Sequence, residues 1–281
     1  MPIYDRTYRR HEARGPLRQV RFWPITREAL RLVLARRAFL ALLAASWIPF
    51  LVRVVQIFVV TRFPQAGQLL PVDGRLFGQF LNQQLGFTLL LSIFGGAGLI
   101  AGDLRTGAIL VYLSRPLTRR DYVLGKLGVL MALNLGVTLV PAFLLYLVGL
   151  ALAPEMLGQW SLAWIGPAIV LHALVLSGVV SLLALAVSSL CRNTRVAGLG
   201  LALLFIGLEI ARGVLENIFA AREAELLSLQ ANLRALGSLL FGMAARGTEA
   251  PWGYAVAVLA SVSLACLAVL RWRVRAVEVV R

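Results

Sequence analysis

The sequence is poor in charge. Only 15% of its 281 residues are Asp, Glu, Lys or Arg, and only 13 are acidic. A soluble chain needs more polar surface than that, so a soluble fold is excluded. Cysteine and histidine are scarcer still, with two of each. Cys191 stands in a short basic turn and Cys266 inside the last apolar run, without paired spacing, so they read as packing residues rather than a disulfide or metal site. His11 and His172 are isolated, and His172 is expected to be hydrogen-bonded within a helical bundle.

Catalytic signatures are also missing. A phosphate-cradling loop requires Gly-x-x-x-x-Gly-Lys-Ser/Thr, and the nearest string, Arg120 to Leu127, has Arg for the first Gly and Leu for the hydroxyl. No HExxH, Cys-x-x-Cys or Gly-x-Ser-x-Gly string occurs. The chain is therefore expected not to be an enzyme, with no catalytic residue, no metal and no cofactor of its own. Carboxylates at membrane depth, the mark of proton relays and ion-coupled transport, are few. Arg53 is expected to snorkel from the outer end of the first span. Glu209 and Arg212, three apart on one helical face, read as a local ion pair.

What the chain has is apolar length. Its mean hydropathy is +0.81, 59% of its residues are apolar, and runs of about 20 recur, the length needed to cross a ~30 Å hydrocarbon core. The predicted fold is an all-α polytopic membrane protein with six transmembrane helices: residues 38–60, 85–101, 127–153, 164–190, 196–210 and 252–270. Gly98 and Gly102 form a small-residue pair expected to let a neighbouring helix approach, and Asn134 in the third span should act as interhelical glue. No cleavable leader is expected, the first span serving as insertion signal.

The net charge of +15 is unevenly placed. Four segments on one side of a six-span topology hold 21 of the 28 basic residues with six acidic ones: the N-terminal arm, the 102–126 loop, the turn after span four and the tail 271–281. The remainder sums to zero, so both termini are expected to be cytoplasmic. This distribution is topological, and no nucleic-acid partner is expected. Residues 25–37 have Leu30, Val33 and Leu34 on one face, with Arg27, Arg31, Arg36 and Arg37 available for anionic headgroups. That predicts an interfacial helix with its apolar face in membrane lipid and Thr26 as its N-cap. On the other side, 213–250 alternates apolar and charged residues at helical spacing, too charged to cross, and predicts one or two helices resting on the span ends.

The loop 102–126 is the most specific segment. Asp103, Arg105 and Gly107 precede a short apolar stretch, Leu113-Ser114-Arg115-Pro116 breaks it, and Thr118 starts a new helix carrying Arg119, Arg120 and Asp121 before Gly125-Lys126. This pattern resembles the coupling segment of ABC transporter permeases of the type-2 export family, with Asp103 standing where many members carry Glu. The resemblance extends through the amphipathic N-terminal helix, the six spans and the basic tail. It implies an arm (1–24), a connecting helix (25–37), a transmembrane domain (38–270) and a tail (271–281) in a bacterial inner membrane. It further implies a second permease copy, identical or related, and a separate ABC ATP-binding subunit that holds ATP and Mg. The ATPase-coupling residues would be Asp103, Arg105, Gly107, Leu113, Ser114, Arg115, Pro116, Arg119 and Lys126. Two rival readings are a non-transporting membrane scaffold or assembly subunit, and an ion-coupled secondary transporter.

Overall fold

The computed structural model describes residues 22–63, 65, 73–108, 118–152, 159–219, 222–242 and 252–273. The N-terminal arm to residue 21, the tail from 274 and the loop 109–117, with Leu113, Ser114, Arg115 and Pro116, lie outside the described residues. So do the side chains of Arg222 and Glu223. All regular structure among the described residues is helical.

Six segments are long and apolar enough to cross a membrane: Arg37–Arg62, Gly74–Thr106, Arg119–Leu152, Trp164–Leu190, Thr194–Ile218 and Trp252–Arg273. The protein is a multi-pass membrane protein. The expected number of spans is found, but the second and fifth are much longer than hydropathy indicates. The second reaches back to Gly74 through Arg75, Gln79, Asn82 and Gln83, polar residues that lower the average without breaking the helix. The fifth continues to Phe219 because its charges neutralise one another: Arg212 Nε lies 3.0 Å from Glu209 Oε2 and its Nη1 2.9 Å from Glu216 Oε2. The start of the expected outer segment is thus the end of this helix.

The first described helix is α1 (Trp23–Leu34). The first span is split into α2 (Arg37–Ala45) and α3 (Ile48–Arg62), with Pro49 in the first turn of α3, where its missing N–H costs least. At the break the Ser46 carbonyl accepts from Gln84 Nε2 at 3.0 Å, a buried bond that ties the first span to the second.

The second span is α4 (Gly74–Leu91), a π turn at Ser92–Gly96 and α5 (Gly98–Thr106). Glycine makes the π turn possible through close approach: a Cβ on Gly95 would lie 2.9 Å from the Phe39 ring and one on Gly96 2.8 Å from Leu130. The new helix start at α5 is capped from outside. Ser188 Oγ accepts from the amides of Ile100 (3.2 Å) and Ala101 (3.0 Å) and donates to the Ala97 carbonyl at 2.7 Å. The expected Gly98/Gly102 pair functions only in part. Gly98 fits against Thr194, 2.9 Å from the position of a Cβ, whereas Gly102 has open space.

Two long helices form the centre: α6 (Arg119–Leu152) and α7 (Gln159–Leu190). At 34 residues α6 is roughly 50 Å long, well beyond a ~30 Å core, so its first turns extend past the apolar layer. α7 is the most enclosed span, while α3, α8 (Thr194–Phe219) and α10 (Trp252–Arg273) present most of their surface outward. One apolar core gathers Ile57, Phe77, Phe80, Leu145 and Ile169, and the other gathers Phe39, Ile100, Tyr122, Leu130 and Leu185. Between them lies a polar seam. Asn134 Nδ2 donates to Ser92 Oγ (3.2 Å) and Ser181 Oγ (3.0 Å), and the Thr138 and Ser177 hydroxyls are 3.1 Å apart. Asn134 acts as the expected glue, joining α6 to the π turn and α7.

Arg273 Nε donates to the Ser189 carbonyl at 3.3 Å, so α10 ends beside the last turn of α7. This is the basic end of the bundle. The distal end is covered by a 3₁₀ turn (Arg222–Leu227) and α9 (Leu229–Leu240), as the alternating pattern predicts. Ser228 caps α9 by accepting from the Ala231 amide at 2.9 Å, and its hydroxyl also bonds Glu209. His172 is buried under α9, edge-on to Phe241 at 5.9 Å and packed against Gly237. Its Nδ1 has no hydrogen-bond partner among the described residues, so the expected hydrogen bond is not made through that nitrogen.

Candidate coupling site

Residues 109–117 join α5 to α6 in the sequence, and the structure defines the stems on either side of them. Gly107 ends α5 at φ 71°, a left-handed conformation that favours glycine and turns the chain out of the helix. At the other stem Thr118 caps α6. Its amide and hydroxyl donate to Asp121 Oδ2 at 3.0 and 2.7 Å, and the Asp121 amide donates back to Thr118 Oγ1 at 3.2 Å. This is a capping box with Asp in the usual Glu position, and it starts the helix where the sequence predicts.

A buried ion pair closes the two stems. Lys126 Nζ lies 2.7 Å from Asp103 Oδ2, with the lysine side chain 5% exposed and the aspartate 18%. Tyr122, one turn before Lys126, donates its hydroxyl to the same oxygen at 2.7 Å, and its ring lies under the ammonium at 5.6 Å. Burying two charges is costly unless each is paired and further hydrogen-bonded. Here the lysine neutralises the aspartate and the tyrosine supplies the extra donor. Asp103 and Lys126, the outermost predicted coupling residues, therefore meet directly. Arg105 and Arg119 are exposed on the two stems and do not join them.

The helix α1 is laid across this clamp. Thr26 Oγ1 donates to the Gly125 carbonyl at 2.9 Å. Ile25 lies 3.0 Å from where a Cβ on Gly125 would stand, and Thr26 Oγ1 3.0 Å from one on Gly128. The two glycines form a bare strip on α6 that only a closely packed helix can use. Two expectations are corrected here. Thr26 lies inside α1, which starts after Phe22, and makes a tertiary contact instead of capping the helix. The Leu30, Val33 and Leu34 side faces protein rather than lipid: Val33 is 3% exposed and the two leucines pack on the same core. Arg27, Arg31, Arg36 and Arg37 remain exposed, the last two beyond the end of α1.

A family model described as ABC-2 family transporter protein matches residues 38–271, most of the chain, beginning just after α1. The chain belongs to the ABC-2 transporter family. It is an ABC transporter permease, a membrane component. A search of curated proteins finds no match to the sequence. In this ABC-2 permease no group of three or more His, Cys, Asp or Glu that could hold a metal occurs among the described residues. Tyr122 and Gly128 are not singled out by the sequence, and Ile25 and Thr26 are expected there only at the start of the interfacial helix. Tyr122 lies four residues before Lys126, on the same helical face, and the Gly125-x-x-Gly128 spacing was the available sign of helix docking.

Proposed function

We propose that this permease is the membrane subunit of an ATP-driven exporter that works as a pair of permeases on two separate ATP-binding subunits. ATP and Mg belong to those subunits. The basic end faces the cytoplasm, since 21 of 28 basic residues lie on its four segments. The membrane is a bacterial inner membrane. Residues 105–116, with Arg105, Gly107, Leu113, Ser114, Arg115 and Pro116, form the coupling element that enters a groove on the ATPase. Arg119 follows it, and α1 lies at the membrane surface with its arginines toward anionic headgroups.

The observation that carries this reading is the clamp of Asp103, Tyr122 and Lys126 with α1 docked on the same turn of α6. A loop that merely returned to the membrane would have no use for a buried ion pair at its base. A loop that transmits force does, because its stems must move together. Pulling on 109–117 then displaces α5, α6 and α1 as one body, and through Ser188 and Asn134 the motion reaches α7 and the π turn.

The test is co-purification with the cognate ATP-binding subunit. Arg115→Glu is expected to abolish the complex or cut its coupled ATP hydrolysis by about tenfold, a cost in the range of one lost charged contact. Retention of both complex and coupling in Arg115→Glu would refute the docking role.

A further inference from the structure

Arg53 is the one basic residue lying well inside a span of the first pair, and its surroundings are polar on an outward face. Its Nη1 donates to Gln56 Oε1 at 2.7 Å, and its Nη2 reaches Gln83 Oε1 of α4 at 3.4 Å. Arg53 and Gln83 both lie about 14 Å along their helices from the distal ends at Arg62 and Gly74. Gln79 and Gln83 are exposed, and Gln56 and Asn82 are half-buried. A face this polar is costly against hydrocarbon at such depth. The guanidinium is also turned across to α4 instead of running freely to the interface as snorkelling would have it.

Among the described residues no carboxylate forms an ion pair with Arg53. The carboxylates on the six described spans are Asp103, Asp121, Glu209 and Glu216. Asp103 is held by Lys126 and Tyr122, Asp121 by the Thr118 cap, and Glu209 and Glu216 by Arg212. The described spans therefore leave Arg53 open to an anion that they do not supply.

The same face shows what kind of anion. Along α4 and the π turn, the exposed positions run Gln79, Gln83, Gly86, Leu90 and Phe94, polar toward the distal end and apolar below it. Beside Arg53, Val52 and Val55 are exposed as well. Gly86 has open space where a side chain would stand, so it leaves the face unobstructed between its two halves. We infer that the face shared by α3 and α4 around Arg53, Gln56, Gln79 and Gln83 binds the phosphate headgroup of an anionic amphiphile, with its chain along Leu90 and Phe94. A guanidinium fork suits a phosphate because it can donate two parallel hydrogen bonds. The inference rests on the exporter reading only for its consequence, that such an amphiphile is the cargo.

The test uses the full-length permease, purified with its ATP-binding subunit, and a fluorescent short-chain phosphatidylglycerol as probe. Arg53→Gln is expected to weaken probe binding by on the order of tenfold, with Arg53→Lys intermediate and the matching phosphatidylcholine unaffected by either. Inorganic phosphate is expected not to displace the probe, and displacement would assign the site to a free anion and overturn the amphiphile. Equal binding by wild type and folded Arg53→Gln would also overturn it. If Arg53→Gln does not fold, the Gln79→Leu/Gln83→Leu variant carries the same comparison. Efficient cross-linking between copies through Gln79→Cys, with Cys191 and Cys266 replaced, would make this face a permease–permease interface and sink the proposal. Binding is read without nucleotide, so it can fail while coupling to the ATPase survives, or survive while coupling fails.

Discussion

At the scale of single residues, Asp103 Oδ2 receives both the Lys126 ammonium and the Tyr122 hydroxyl. Removing the lysine would leave a mostly buried carboxylate with the tyrosine, a situation that typically costs about 3–5 kcal/mol. Removing the hydroxyl deletes one charge-assisted bond, about 1.5–3 kcal/mol. Lys126→Met is therefore expected to lower the thermal midpoint more than Tyr122→Phe. The charge swap Asp103→Lys with Lys126→Asp should recover part of the loss relative to either single change. Denaturation of the four variants in detergent gives the cycle. Equal midpoints for wild type and Lys126→Met would mean that the pair is not holding the stems.

Between residue and helix, Ser188 supplies a cap that α5 lacks in its own sequence. Without its hydroxyl, the Ile100 amide in the first turn of α5 would lose this acceptor in a buried setting, at about 1–3 kcal/mol if left unsatisfied, and the Ala101 amide would lose its second acceptor. Ser188→Ala should then speed amide exchange over 97–106 by at least tenfold in nanodiscs, with little change in α6. Ser189→Ala is the control, because that hydroxyl bonds only the Ala186 carbonyl of its own helix at 2.7 Å. Matching exchange in the two variants would remove Ser188 from the role. Elements like this mark where the sequence could be read and where it could not. The apolar runs and the Thr118 start of α6 were legible, because hydropathy and capping are local properties. The π turn was not, since it depends on Phe39 and Leu130 filling space beside Gly95 and Gly96. The far end of α8 was hidden because Arg212 and Glu216 look like loop residues until their mutual pairing is seen. The side of α1 that faces protein reads like any amphipathic face, and only the partner glycines on α6 distinguish docking from lipid contact. The clamp was half legible: its two charged ends were singled out, and the tyrosine between them was not.

For the whole molecule, the arrangement of charge and the arrangement of helices make the same division. Every stem of the clamp, α1 and the Arg273 contact fall at one end, and α9 with the Glu209 network falls at the other. Among the described residues the distal end pairs several of its charges within the chain, Arg212 with Glu209 and Glu216 and Arg75 near Asp73 at 3.7 Å. The basic end leaves Arg27, Arg31, Arg36, Arg37, Arg105 and Arg119 exposed. An end whose charges are paired internally can be carried across a bilayer with less opposition than one bearing a surplus of arginines, which is the physical content of the orientation rule. In a chain whose two cysteines are replaced, Arg234→Cys on the exposed side of α9 should react with an impermeant maleimide in intact cells. Thr106→Cys, exposed at the end of α5, should react only once the membrane is opened. The reverse pattern would place the clamp and its loop outside the cell, beyond the reach of any cytoplasmic ATPase, and the coupling role would fall with the topology.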